Sequence, residues 1–212
     1  MADVESMVRP TFITLGPEGT DHERATLAYI DFLGLKGYAE LELIEDLVDE
    51  GIQRVHDEPN SFLVQCSAHP NVHLATERYP KKVFVGDTFI FPTRDLSLLV
   101  RNGVDDPETI ALVPATHGYT DLSKWEKVVS ELSKPVISRK LAEGVYDAGI
   151  TFTELTDEHS GVFRIAENYG KVDTTWIVYG KRKRTDGELI NHGRLIGNRI
   201  PWYFTGQPEP QT

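Results

Sequence analysis

The chain has 212 residues, of which 40% are hydrophobic and 26% charged, and its formal net charge is −11. This length supports one large domain or two small lobes with a buried core. An acidic chain repels nucleic acid and anionic membranes, so we expect neither as a partner. No stretch approaches the roughly 20 consecutive apolar residues of a membrane-spanning helix.

Cysteine content and the first residues indicate the compartment. Cys66 is the single cysteine, which excludes an intrachain disulfide, and residues 1–10 lack the apolar run of a secretory signal. Both features predict a cytoplasmic protein. The basic stretch at 180–187 has neither heptads nor an aromatic platform beside it, which favours a solvated strand end over a nucleic-acid patch.

The first elements flank a glycine-rich turn. A strand is predicted at 11–16, and a helix is predicted from Thr20 to Leu33. The Thr20 hydroxyl can cap the first turn, and Glu23 lies three residues on, as in a capping box. Gly34 can adopt the left-handed conformation that ends a helix.

The remaining elements continue an alternation of strands and helices. We predict strands at 39–47, 61–67, 108–115, 145–152, 161–168 and 172–180, and two more on either side of Pro92. We predict helices at 48–57, 120–133 and 134–144, the last one capped by Ser133 and ended by Gly144. This alternation is typical of an α/β fold, in which ligands bind beyond the carboxyl ends of the strands.

The turn "TLGPEGT" at 14–20 occupies such a strand end. Glycine lets an anion approach the backbone closely, and a helix start offers unpaired N–H donors. The turn therefore suits a carboxylate or a phosphate, although Glu18 within it has the wrong sign. From these residues alone, a plain structural turn and an anion pocket both stay open.

Four segments, in order, resemble the prephenate dehydratase family. "TLGPEGTDHERA" (14–25) resembles its opening G-P-x-G-T motif, and "LVPATHGYTDLSKW" (112–125) lies where that family has V-S-H-P. "SRKLAEGVYDAGIT" (138–151) resembles its Glu-Gly-x-Tyr-Asp stretch, and "VDTTWIVYG" (172–180) takes the place of its Thr-Arg-Phe motif. Their order and spacing are more specific than any one of them.

The departures from that family point to one branch of it. The chain reads Thr174-Thr175-Trp176 instead of Thr-Arg-Phe, and "QCSAH" (65–69) replaces a Glu-Asn-Ser segment. It is similar in this to the short prephenate decarboxylases of the bacilysin pathway, which share the run from Arg139 to Asp147 and end without a regulatory ACT domain. We expect no ACT domain here either.

The resemblance implies a fold and an activity. The fold is α/β and two-lobed, like type II periplasmic binding proteins, with 11–85 and 160–181 in lobe 1, 86–159 in lobe 2, and a tail at 182–212. The activity is the non-aromatising decarboxylation of prephenate to a dihydro-4-hydroxyphenylpyruvate, a precursor of specialised amino acids such as anticapsin. No cofactor is implied. The aromatic residues at 202–204 suggest that the tail covers a surface, in this chain or in a homodimer.

The same resemblance implies the site residues. Thr20, Thr174 and His22 are the expected catalytic residues, and His69 and His117 are the other candidates for the proton donor. The expected substrate-binding residues are Gly19, Asp21, Ser67, Thr116, Thr175 and Trp176. Among them, the amides of residues 19–21 would hold one carboxylate, and the Trp176 indole would form an apolar wall.

The missing arginine fits this chemistry. A dehydratase stabilises the departing ring hydroxide with an acid or a strong donor, whereas a non-aromatising decarboxylase must withhold that help. Two alternatives stay open: a prephenate or arogenate dehydratase, and a non-catalytic cytoplasmic anion-binding module. A metal is not expected, because His69 and His73 have no third ligand nearby in the sequence.

Overall fold

A computed structural model describes residues 9–184, 187, 195–196 and 200–201. The predicted aromatic contacts of the tail, at 202–204, lie outside the described residues. Within the described part of the chain, no helix is long and apolar enough to cross a membrane.

The strands and helices alternate along much of the chain. In chain order the strands are β1 (Thr11–Leu15), β2 (Glu40–Ile44), β3 (Ser61–Cys66), β4 (Phe84–Ile90), β5 (Leu96–Arg101), β6 (Thr109–Leu112), β7 (Lys127–Ser130), β8 (Ala148–Phe152), β9 (Phe163–Gly170), β10 (Thr175–Gly180), β11 (Leu195–Ile196) and β12 (Ile200–Pro201). The α-helices are α1 (Asp21–Phe32), α2 (Ile52–Asp57), α3 (Leu74–Arg78), α4 (Lys134–Ala142) and α5 (Leu155–Glu158). A π-helical turn at Leu47–Gly51 leads into α2, and short 3₁₀ segments cover Pro114–Tyr119 and Leu122–Lys124.

Ten of the strands form two mixed five-stranded sheets, one in each lobe, and β11 and β12 pair with each other. The first has the order β2-β1-β3-β10-β4, and the second has the order β7-β6-β8-β5-β9. In each sheet parallel pairs on one side give way to antiparallel pairs on the other. The predicted two-lobed α/β architecture is therefore confirmed.

The chain crosses between the lobes at points that differ from the predicted boundaries. β4 pairs with β10 in the first sheet, so lobe 1 continues to residue 90 rather than ending at 85. β9 pairs with β5 in the second sheet, so the return to lobe 1 follows residue 170 rather than residue 160. The chain therefore crosses from lobe 1 to lobe 2 at residues 91–95, after β4 of the first sheet. It returns at residues 171–174, after β9 of the second sheet.

The predicted helix at 120–133 is wrong. Its first residues form the short 3₁₀ turn, which the Asp121 carboxylate caps by accepting from the Ser123 amide at 3.1 Å. The following residues form β7, which pairs in parallel with β6 through Val128 and Val129. Two adjacent β-branched residues favour a strand, and pairing with a buried neighbour outweighs the local helical pattern.

Both faces of each central sheet are covered. In lobe 1, adjacent residues of β1 enter different apolar clusters: Ile13 packs with the α2 side, and Phe12 packs with the α1 side. In lobe 2, Ile137 and Leu141 of α4 cover one face of the sheet. Alternation of side chains along each strand thus buries both faces and fixes the helices on them.

The glycine-rich turn brings α1 to the edge of the first sheet. Thr20 is the N-cap of α1, and its Oγ1 accepts from the Glu23 amide at 3.2 Å. The Glu23 carboxylate in turn accepts from the Gly19 amide at 2.6 Å, one residue earlier than in a standard capping box. Gly34, with φ of 70°, follows the end of α1 as predicted.

Candidate functional site: a cleft between the lobes

A cavity of about 290 Å³ lies where the two lobes meet. It is bordered by the carboxyl ends of β1, β3 and β6 and by the N-termini of α1 and α4. Its wall combines residues of both lobes and both crossovers, among them Leu15, Thr20, Asp21, His22, Cys66, His69, Thr93, Leu96, Val113, Thr116, Tyr119, Glu131, Ser133, Lys134, Phe152, Val172, Thr174 and Trp176. The position agrees with the rule that ligands of α/β sheets bind beyond the strand ends.

Most of the predicted site residues line this cavity. They are Thr20, Asp21, His22, Thr116, Thr174 and Trp176, together with His69 from the predicted proton donors. Thr116 is buried, and its hydroxyl donates to the Val113 carbonyl at 2.9 Å. Residues more than 150 positions apart in the sequence therefore meet at one cleft.

Four predicted residues do not line the cavity. Ser67 and Thr175 are exposed, and they are joined by a backbone hydrogen bond of 2.9 Å at the sheet end. Gly19 faces a neighbouring groove, and its amide is already bonded to Glu23. His117 is exposed, with its Nε2 3.4 Å from the Ser130 hydroxyl.

The Thr20 side chain is occupied within the protein. Besides accepting from Glu23, its hydroxyl donates to the Leu15 carbonyl at 3.0 Å. Among the described residues, none accepts a hydrogen bond from the Thr20 or Asp21 amide. These two amides, at the positive end of the α1 dipole, remain as donors for an anion.

The Asp21 carboxylate links the two lobes. It accepts from Lys134 Nζ at 2.9 Å and from the Arg94 amide at 3.0 Å. The Asp21 side chain is 8% exposed and the Lys134 side chain is 16% exposed, so the pair is largely shielded from solvent. Asp21 thus places a negative charge in the cleft, and its side chain cannot itself attract an anionic ligand.

His22 is held as a neutral imidazole. Burial, with smaller effects from His69 and Lys134, lowers its pKa to about 3. Its Nε2 accepts from the Cys66 amide at 3.3 Å, so the proton is assigned to Nδ1. A histidine with so low a pKa is almost never an imidazolium near neutral pH, which argues against His22 as the proton donor.

The predicted Thr-Thr-Trp segment contributes two residues to the wall. Thr174 Oγ1 lies 3.3 Å from Cys66 Sγ, across the ends of two strands. Trp176 is 1% exposed, and its Nε1 donates to the Phe91 carbonyl at 3.0 Å. The indole is therefore both a core side chain of lobe 1 and an apolar part of the cavity wall.

Three functional candidates were missed in the sequence: Lys134, Ser133 and Glu131. Ser133 was recognised as the N-cap of α4, but its hydroxyl makes no capping bond and its buried Oγ has no partner. Lys134 follows it at the helix start. The signal for both was the cap motif "SKP", which predicts a helix start but not its orientation toward the other lobe.

Glu131 carries a charge that is already compensated. Its Oε1 accepts from Lys140 Nζ at 2.6 Å and also from the Tyr146 hydroxyl. Lys140 and Tyr146 belong to the run from Arg139 to Asp147, and the Asp147 carboxylate accepts from the amides of Glu108 and Thr109. That run therefore builds the frame of lobe 2 rather than the cavity wall.

The charge pattern of the wall is simple. Both carboxylates on it, Asp21 and Glu131, are paired with lysines, and burial lowers the pKa of His69 as well as that of His22. Lys134 is the one lysine or arginine on the wall among the described residues. The described residues contain no group of three or more His, Cys, Asp or Glu side chains that could hold a metal ion.

Comparisons with known proteins identify the fold. No family model and no curated protein matches the sequence. Among solved structures, the chain is similar to an ABC transporter from Parabacteroides distasonis, with 13% identity and a TM-score of 0.51 over 82% of this chain and 66% of that one. It is also similar to PEB3 bound to L-phospholactate, with 12% identity and a TM-score of 0.50 over 82% of this chain and 87% of that one.

A third similar structure is the periplasmic aliphatic sulphonate binding protein SsuA from Escherichia coli, with 9% identity and a TM-score of 0.46 over 81% of this chain. This chain spans 65% of the length of SsuA and of a quorum-quenching acylase, GqqA, that it also matches. The similarity to the ABC transporter and PEB3 structures agrees with the predicted two-lobed fold, like that of type II periplasmic binding proteins. Likeness at these identities concerns the fold alone.

Proposed function

We propose that the cleft binds a small organic carboxylate and that this ligand is prephenate, which the protein decarboxylates without making the ring aromatic. The proposal joins the motif order in the sequence to the chemistry of the cavity wall. One observation carries the proposal: both carboxylates on the described cavity wall, Asp21 and Glu131, are paired with lysines, and the two histidines on it have lowered pKa values.

That pairing removes the strong acids from the described wall. Both carboxylates on the described wall are bonded to lysine ammonium groups, and a neutral imidazole is a much weaker acid than an imidazolium. Departure of the ring hydroxyl as water needs a proton donor in the transition state. A wall whose described carboxylates are paired with lysines and whose His22 is neutral favours retention of the hydroxyl, as the proposed reaction requires.

The reaction balances with one proton and no cofactor. The bond between the ring and its carboxylate breaks, CO₂ leaves, and the electron pair moves into the ring diene. A proton from solvent water then adds at a ring carbon, and the ring hydroxyl stays in place. An apolar surface, such as that of Trp176 and Phe152, favours the loss of CO₂, because the charge localised on the carboxylate spreads into the ring in the transition state.

The proposed roles follow the positions in the cleft. The amides of Thr20 and Asp21 and the Lys134 ammonium provide positive potential for the two carboxylates of prephenate. Thr174 offers a hydroxyl in place of the arginine of the dehydratase motif. The neutral hydroxyl leaves one carboxylate less tightly held in its charged form, which favours its loss as CO₂.

A second candidate is an anion-binding module without turnover. Two predicted catalytic groups in lobe 1 favour this candidate, because both already make hydrogen bonds within the protein. The Thr20 hydroxyl donates to one backbone group and accepts from another, and His22 Nε2 accepts from a backbone amide. Such a protein would bind prephenate and release no CO₂.

Lys134→Met tests the proposal, with Lys36→Met as its control because Lys36 is exposed and lies on the loop after α1. We expect wild type and Lys36→Met to release CO₂ from prephenate. We expect kcat/KM of Lys134→Met to be lower by at least about tenfold, because the variant loses a charged hydrogen bond to the substrate. Binding by calorimetry without CO₂ release in wild type would favour the module. If wild type neither binds prephenate nor releases CO₂ from it, both candidates are contradicted.

A further inference from the structure

The N-terminus of α4 forms the lobe 2 side of the cavity, and it contains a buried polar group without a partner. Ser133 is 6% exposed and lines the cavity, yet its Oγ makes no hydrogen bond. Burying a hydroxyl without a partner is costly, and a bound ligand is one group that can provide the missing hydrogen bond. The helix has nine residues, and although Pro135 has no N–H, the dipole and the other N–H groups of the first turn add positive potential at the same place.

Lys134, the next residue, provides the charge at this helix start. Its ammonium is bonded to the Asp21 carboxylate of the opposite lobe at 2.9 Å. The Asp21 oxygen is thus positioned as a ligand carboxylate would be: it faces the ammonium beside the unpartnered Ser133 hydroxyl. Its second oxygen is held by the Arg94 amide at 3.0 Å, which keeps it in lobe 1.

We propose that Ser133 and Lys134 form a carboxylate subsite in lobe 2, and that Asp21 is an internal competitor which holds Lys134 until a ligand carboxylate displaces it. The ligand class is a small dicarboxylate, one end of which reaches this subsite while the other faces the amides at the start of α1. The subsite itself does not depend on the proposed function. Only the identification of the dicarboxylate as prephenate rests on it.

A competitor and a supporting residue predict opposite effects of one substitution. Asp21→Asn keeps the size and the oxygen that accepts from Arg94, but it removes the negative charge and frees Lys134. If Asp21 competes with the ligand, its loss strengthens anion binding. If Asp21 only positions Lys134, its loss weakens binding or leaves it unchanged.

The experiment is calorimetric titration of the full chain with prephenate and, separately, with succinate as a plain dicarboxylate probe. We expect Asp21→Asn to tighten both by roughly tenfold, since a like charge leaves the cleft. We expect Ser133→Ala to weaken both by about tenfold through loss of a hydrogen bond to a charged group. The matched controls are Asp31→Asn, exposed on the same helix as Asp21, and Ser130→Ala, which lies outside the cavity wall.

The outcomes separate this inference from the proposed function. Succinate binding that follows the expected order, without prephenate binding, supports the subsite and contradicts prephenate as the substrate. Prephenate binding that is unchanged or weaker in Asp21→Asn overturns the competitor role. Unaltered affinity in Ser133→Ala, or no binding of either probe to wild type, overturns the subsite. Should Asp21→Asn fail to fold, Ser133→Ala still decides whether the subsite exists.

Discussion

Thr20 shows how one side chain can serve the fold at the border of a site. Its hydroxyl donates to Leu15 and accepts from Glu23, so it ties the end of β1 to the first turn of α1. The same residue presents its backbone amide to the cavity. Its contribution to binding therefore depends on the helix start that its side chain stabilises.

Thr20→Val removes both side-chain hydrogen bonds and keeps the shape. We expect the free energy of unfolding to fall by about 1–2 kcal/mol, the usual effect of losing an N-cap. Urea unfolding measures it, with the exposed Thr76→Val as a control that lies outside the cleft. Equal stability of Thr20→Val and wild type would show that the cap contributes nothing.

His22 makes stability depend on pH. Its folded-state pKa, about 3, lies below the ordinary value of 6.5. Between these values the unfolded chain binds a proton that the folded chain does not, so stability is full above pH 6.5 and falls as the pH decreases.

His22→Gln should therefore flatten that dependence. Between pH 6 and 5 we expect the wild-type free energy of unfolding to fall more steeply than that of His22→Gln, by up to about 1.4 kcal/mol per pH unit. The exposed His159→Gln should behave as wild type does. Parallel curves for His22→Gln and wild type, measured by urea unfolding at each pH, would contradict a buried neutral imidazole.

At the level of elements, the position of α4 determines the lobe 2 side of the site. Ile137 and Leu141 pack on the second sheet, where Gly149 of β8 leaves room for the helix. A Cβ at Gly149 would lie 2.7 Å from Ile137 Cγ2 and 3.4 Å from the Ala111 carbonyl oxygen. The helix can approach the strand this closely only because that residue has no side chain.

Gly149→Ala should accordingly push α4 away from β8. We expect a loss of about 1–3 kcal/mol in the free energy of unfolding, as for other overpacked cores. Gly118→Ala is the control, because its Cβ would meet no atom within 4 Å. A Gly149→Ala protein as stable as wild type, by thermal or urea unfolding, would show that the contact relaxes freely.

The elements were predictable where local signals agree with the fold. The cap and stop signals of α1 and α4, Thr20 with Gly34 and Ser133 with Gly144, predict both helices, and both occur. The stretch at 120–133 misled because its periodicity is helical, while its pairing with β6 is a contact between distant residues that periodicity does not encode. The lobe boundaries differ for the same reason.

The site was predictable in part. A strand-to-helix turn with two glycines predicts backbone donors at the start of α1, because such donors follow from local geometry, and Thr20 and Asp21 line the cavity there. Lys134 and Ser133 could not be assigned to the cleft from sequence, because their approach to Asp21 depends on the relative position of two lobes. The neutral state of His22 could not be predicted either, because it results from burial by residues that are distant in the sequence.

At the scale of the molecule, the described residues join the lobes at the cavity through two crossovers and one shielded ion pair. Asp21 of lobe 1 meets Lys134 of lobe 2, and the first crossover contributes Arg94, whose side chain reaches both Gly19 and Glu154. A ligand that bonds to both helix starts would replace a contact the protein now makes with itself. The central claim is that this cleft binds prephenate and gives its hydroxyl no acid.

Proton NMR of the products formed from prephenate by the purified full chain tests that claim most directly. We expect loss of CO₂ and a product with vinylic ring protons and a retained carbinol proton, and with no aromatic signals above those of an enzyme-free control. Enzyme-dependent growth of aromatic phenylpyruvate signals would contradict it, because the hydroxyl would then have departed as water.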